Sequence, residues 1–123
     1  MTQENLENTV IKLFLEYGDE TSNLLLKQLE HLEVEKRDFT GIGFYTYFRS
    51  PDSLRVENVS KVYDDLHVDI RNPDDNIHFM LYVDSGKISC LKASTFMGWQ
   101  EGDSMRIDPN SFYGGGQSPF LGG

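Results

Sequence analysis

Asp65, His67 and Asp69 alternate along the stretch VYDDLHVDIR, and His78 follows in NIHFMLYV. Imidazole nitrogens and carboxylate oxygens that converge at about 2.0–2.2 Å from one point bind Zn²⁺ or a non-haem iron. The same groups can act as a general acid and its orienting base. In a β-strand, alternation by two places Asp65, His67 and Asp69 on one face.

Whether these side chains meet depends on strand register. A four-residue loop over NPDD, residues 72–75, makes Arg71 face Asn76 and pairs Ile70 with Ile77, Val68 with Phe79 and Leu66 with Leu81. The same register sets Asp69 opposite His78, His67 opposite Met80 and Asp65 opposite Tyr82, with His67 diagonal to His78. In this alternation Val62 joins the apolar side, Tyr63 takes the other, and Asp64 breaks the apolar side. Side chains on a flat sheet stand nearly parallel, so three ligands converge only with help from a bulge or a loop. The pattern therefore favours a surface Asp69/His78 pair over a metal or catalytic cluster of His67, Asp69 and His78. No cofactor is implied and no catalytic residue is assigned.

Other chemistry is thinly represented. Ser85, Ser89 and Ser94 lack a G-x-S-x-G elbow, and nothing matches a P-loop, an EF-hand, H-E-x-x-H or C-x-x-C. The single cysteine, Cys90, lies in the apolar run KISCLKA and reads as a small buried hydrophobe. Trp99, in TFMGWQ, reads first as a cap on the core and second as a partner anchor. In FTGIGFYTYF, Gly41 and Gly43 are followed by more strand pattern where a phosphate loop requires a helix N-terminus. They read as positions where a neighbouring backbone comes close.

Charge narrows the partner class. The net charge is −9 over 123 residues, and it is concentrated. Residues 1–30 carry six acids against Lys12 and Lys27, and residues 64–84 carry six acids against Arg71. No basic stripe is available for nucleic-acid phosphates. An acidic hairpin bearing Asp64, Asp65, Asp69, Asp74 and Asp75 suits a protein with a basic surface. No apolar run approaches the roughly 20 residues of a membrane helix, and the N-terminal MTQENLENTV is acidic and polar where a secretory signal is basic, then apolar. A cytoplasmic location is the expectation.

The elements that must position these residues follow from periodicity. Leu6, Val10, Leu13, Phe14 and Tyr17 recur at helical spacing, with Gly18 as a stop. A second helix is expected to start near Asp19 or Thr21 and to run through SNLLLKQLEHL, presenting Leu25, Leu26, Leu29 and Leu32. From Glu33 the period becomes two. EVEKRDF, GIGFYTYF, RVENVSKVYDDLHVDIR, NIHFMLYVD and KISCLKA read as strands. Two helices followed by strands predict an α+β fold, with both helices on one face of an antiparallel sheet of about five strands. Residues 1–108 are expected to form one domain, and residues 109–123 a mobile Gly-rich tail.

The stretches FTGIGFYTYF, HVDI, FMLYVDSGKISCL and MGW, within residues 39–99, resemble a family of small, functionally uncharacterised bacterial α+β proteins. Its members carry an aromatic-Thr-Gly-x-Gly-Phe strand, a His-x-acid-Ile strand and an apolar hairpin ending near a Gly and a Trp. The resemblance implies the same α+β sheet and no particular activity.

These features predict a non-enzymatic, acidic protein-binding module of the immunity or inhibitor type. The competing expectation is a small metal-dependent or ligand-binding enzyme that uses the His/Asp cluster. A third is self-association into a homodimer through an edge strand or Trp99.

Overall fold

The helical spacing at the N-terminus produces α1, Gln3–Glu16, which buries Leu6, Val10, Ile11, Phe14 and Leu15. Asp19 caps α2, Glu20–Leu26, by accepting the Ser22 N–H at 2.9 Å. This helix is shorter than the sequence predicts. The Lys27 and Gln28 amides bond back three residues, to Leu24 and Leu25, and a separate 3₁₀ turn follows at Leu29–His31. The tightening lets the Gln28 side chain turn inward. Its amide donates to the Leu54 carbonyl at 2.9 Å and the Gly86 carbonyl at 2.8 Å, and accepts from the Ile88 N–H at 2.9 Å.

The computed structural model describes residues 1–16, 18–70 and 76–114, and its strands are β1 (Glu33–Phe39), β2 (Gly41–Arg49), β3 (Lys61–Ile70), β4 (Asn76–Asp84), β5 (Lys87–Trp99) and β6 (Ile107–Gly114). They form one antiparallel sheet in the order β1-β2-β5-β4-β3-β6. The α+β class agrees with the sequence, and the strand count is six where about five were expected.

Three element boundaries differ from the sequence pattern. Residues 55–60 are not strand: Val56 donates to the Gly86 carbonyl and Gly86 donates to the Val59 carbonyl, so the segment folds onto the β4–β5 turn. The strand predicted over KISCLKA continues to Trp99. The sixth strand, β6, carries the sheet past the expected domain end at 108. Pro109 lowers its strand signal, but β6 is an edge strand, where a missing N–H is tolerated. The segment 115–123 of the expected mobile tail lies outside the described residues.

Alternation divides each strand between two faces. Phe44, Thr46 and Phe48 of β2, Phe79 and Leu81 of β4, and Leu91 and Ala93 of β5 are buried in or beside the core that holds the helix residues. Trp99 is 1% exposed and packs against Phe44 at 5.7 Å, which places it in the core rather than at an interface. Gly43 lies where the β5 backbone comes closest: a Cβ there would stand 1.8 Å from the Ala93 carbonyl oxygen. Gly41 serves conformation instead, at φ +89° with open space around it.

One carboxylate ties helix to sheet. Glu7 of α1 is 1% exposed. It receives Arg37 Nε at 2.8 Å and Nη2 at 2.7 Å from β1, the Thr46 hydroxyl at 2.5 Å from β2, and the Gln3 amide at 3.1 Å. The carboxylate in turn raises the Arg37 pKa above its ordinary value through these hydrogen bonds. Removing one partner of a buried pair leaves the others unsatisfied. Glu7→Ala is expected to lower stability by about 2–3 kcal/mol, and Thr46→Val by about 1 kcal/mol, in urea unfolding. Equal, small effects from both would show that the carboxylate does not hold the helix.

Candidate functional site

The candidate residues sit on the β3–β4 hairpin, and the observed register differs from the expected one. Val68 pairs with Ile77, Leu66 with Phe79, and Asp69 with Asn76. Every apolar pair is displaced by two residues, so the connection is longer than the four-residue turn. A two-residue slide keeps matching faces matched, and the hydrophobic pattern alone does not distinguish the two registers. His67 consequently faces His78 directly, and the residue opposite Asp69 in the register is Asn76. The Asp69 side chain and the expected binding residues Asp74 and Asp75 lie outside the described residues.

A bulge completes the rearrangement. Between the pairs Tyr63–Leu81 and Leu66–Phe79, Asp64 and Asp65 together oppose Met80. Asp65 adopts φ +70°, a left-handed conformation that Asp tolerates better than most side chains. The extra residue reverses the alternation upstream. Tyr63 therefore turns inward, its ring 6.0 Å from Phe14 and its hydroxyl 2.5 Å from Ser22 Oγ, while Val62 turns outward at 48% exposure. Both placements are opposite to the sequence expectation, which assumed unbroken alternation.

The bulge delivers two adjacent carboxylates to two imidazoles. His78 Nε2 lies 2.5 Å from Asp64 Oδ1, and His67 Nε2 lies 3.1 Å from Asp65 Oδ1. The imidazoles stack at 4.8 Å and 21°, and Tyr113 of β6 stacks on the other side of His67 at 5.3 Å and 17°. Desolvation pushes the Asp64 carboxyl up, but the Asp65 N–H and His78 outweigh it and hold the group below the usual carboxylate range. Each imidazole has its own carboxylate, and the ring planes are nearly parallel. No group of three His, Cys, Asp or Glu among the described residues is placed to hold a metal ion. The arrangement is two side-by-side hydrogen-bonded His–Asp units at the surface.

The same face continues as a belt of half-buried aromatics. Cross-strand pairs set Lys36, Tyr47, Cys90, Tyr82 and Val62 in one row, and Asp38, Tyr45, Lys92 and Met80 in the next, ending at the Asp64–Asp65 bulge. Tyr45 and Tyr47 stack at 6.2 Å, with Lys92 5.7 Å from the first ring and Lys36 4.9 Å from the second. Cys90 is the small residue between Tyr47 and Tyr82, and these three help line an open groove of about 590 Å³. Among the described residues no helix crosses this face. The alternation FYTYF signals Tyr45 and Tyr47 in the sequence, whereas Tyr113 joins His67 only through a strand that the pattern does not announce.

No protein-family model, curated protein or solved structure matches the chain, so its site is read from its own geometry. No described helix is long and apolar enough to cross a membrane.

Cys90 agrees with the buried-hydrophobe reading, since burial and the nearby Asp38 charge push its thiol up to about 11. The thiolate is the reactive form. Disulfide-reagent labelling of the folded protein at pH 8 is expected to be about a hundredfold slower than labelling of the unfolded chain, and to accelerate as pH rises towards 11. Equal rates in the two states would mean that the thiol is exposed and unperturbed.

Proposed function

We propose that this chain is a non-enzymatic protein-binding module that meets a basic protein with the Asp64–Asp65 corner of its sheet. The observation that carries this reading is the bulge itself. It sets two successive carboxylates at the surface, with side chains 54% and 53% exposed, beside an aromatic face that no described helix crosses. Aromatic side chains supply large contact area at small entropic cost, and a charged margin steers encounter and fixes orientation. The net charge of −9 extends the attraction beyond contact distance.

This is the chemistry of an inhibitor- or immunity-type protein, which must find a basic target quickly. Asp69, Asp74 and Asp75 follow in the sequence and add to the negative charge of this segment. The stacked imidazoles have a positioning part in this scheme: each holds one carboxylate in place through a hydrogen bond. Enzymatic use of His67 and His78 draws less support, because the Nε2 of each ring is directed at its own carboxylate and no described group of three such ligands converges.

The test begins by using the wild-type chain as bait in lysate of its own cells and identifying the retained protein. Association of that protein is then measured with wild type and with Asp64→Asn/Asp65→Asn. A basic protein whose association slows about tenfold with the variant, and slows with rising salt, is the expected result. An association rate indifferent to both the variant and salt rejects the acidic corner as the binding surface.

A further inference from the structure

We infer that the sheet face that no described helix crosses is also a self-docking surface, on which a second copy of this chain packs face to face about a twofold axis running along the strands between β4 and β5. An interface of this kind must be complementary to itself. Shape and charge on this face both satisfy that condition under the same axis.

The shape comes from the row Tyr47, Cys90, Tyr82, Val62, on the neighbouring strands β2, β5, β4 and β3. Tyr47 and Tyr82 are two strand spacings apart, roughly 9.6 Å, and the small Cys90 forms the floor between them. The twofold lays β5 of one copy over β4 of the other. Tyr82 of each copy then faces the slot above Cys90 of the second copy, and Tyr47 faces Val62, the exposed aliphatic residue of the row. Each copy contributes one projection and one recess.

Charge follows the same operation. The next row runs Asp38, Tyr45, Lys92, Met80 and then the bulge of Asp64 and Asp65, so its cation and its paired carboxylates lie on opposite sides of the axis. Laying β2 over β3 of the second copy brings the Tyr45 ring, with Lys92 5.7 Å from its centroid, against Asp64 and Asp65. The contact forms twice by symmetry. Two chains of net charge −9 repel at long range, but at 0.15 M salt the screening length is about 8 Å, so contact pairs persist while the general repulsion fades.

The available area is adequate. Six strands at about 4.8 Å spacing and about six residues each at 3.3 Å give a flat face of roughly 570 Å². Two such faces bury about 1,100 Å² in total, the size class of weak, reversible associations. Twisted sheets in such a sandwich pack about 10 Å apart and at about −30°.

Self-docking and the basic partner proposed above both use Asp64 and Asp65, so the two compete, and dissociation of the pair would precede partner capture. The inference does not depend on that partner: the pair forms or fails to form in purified protein.

Sedimentation equilibrium of the full chain at 0.15 M salt, over 5–200 µM, is expected to give twice the 14.1 kDa chain mass at the upper end. Lys92→Glu and, separately, Tyr82→Glu are expected to weaken association at least tenfold, with circular-dichroism melts showing that each variant folds. Dilution of the unmodified protein, followed by amide NMR, gives a reading free of any variant, with shifts concentrated at Tyr47, Tyr82, Cys90 and Lys92. A chain that stays monomeric across the range overturns the inference and leaves the partner reading standing. A dimer unaffected by both variants, or dilution shifts confined to the helices or β1, overturns it as well by placing the contact elsewhere.

Discussion

The carboxylate of Glu7 decides which side of the sheet the protein shows to its surroundings. Buried beneath α1, it accepts hydrogen bonds from Arg37 on β1 and Thr46 on β2, residues that face each other across the two strands. Strand alternation then leaves no freedom for their neighbours. Lys36, Asp38, Tyr45 and Tyr47 must occupy the opposite face. A charge this deeply buried is tolerated only when its oxygens are hydrogen-bonded, so the helix is held in register with the sheet as well as against it. Gln28 does the same at the other end of the helical segment. It joins the Leu54 carbonyl, the β4–β5 turn and the start of β5 through one fully buried amide.

A second constraint shapes the far side. The Asp64–Asp65 bulge inserts one residue into β3, and the strand is out of phase with itself on either side of it. Downstream, Leu66 and Val68 face the core. Upstream, Tyr63 does, in hydrogen-bonding distance of Ser22 in α2. The bulge thus serves the helices and the outer face together: it releases Tyr63 to the core and presents two carboxylates to His67 and His78. A continuous strand would supply one or the other.

Among the described residues, the outer face that results is a belt of half-buried aromatics bordered by hydrogen-bonded His–Asp pairs. Its cations lie over tyrosine rings, its imidazoles are stacked and hydrogen-bonded to carboxylates, and its thiol is buried and protonated at neutral pH. These contacts between neighbouring side chains make a stable patterned surface. Aromatic area in the middle with charged groups at its margin is the surface on which the proposed binding role rests.

Much of the architecture is legible in the sequence because it depends on local periodicity. The helical spacing of Leu6, Val10 and Phe14, the Asp19 cap, the strands around Phe44 and Phe79, and the α+β order all express patterns within a few residues of one another. The close-packed role of Gly43 follows from the strand pattern continuing past it. The tertiary structure decided what periodicity leaves degenerate. A slide of two residues conserves every face, so the pairing of His67 with His78 was fixed by the bulge and the longer connection rather than by the apolar pattern. The edge strand β6, weakened in sequence by Pro109, takes form against β3 and brings Tyr113 to His67. The ionic anchor of Glu7 joins residues thirty and thirty-nine positions apart, a separation at which composition and spacing carry no information, because only the packed fold removes water from the carboxylate and makes those partners necessary.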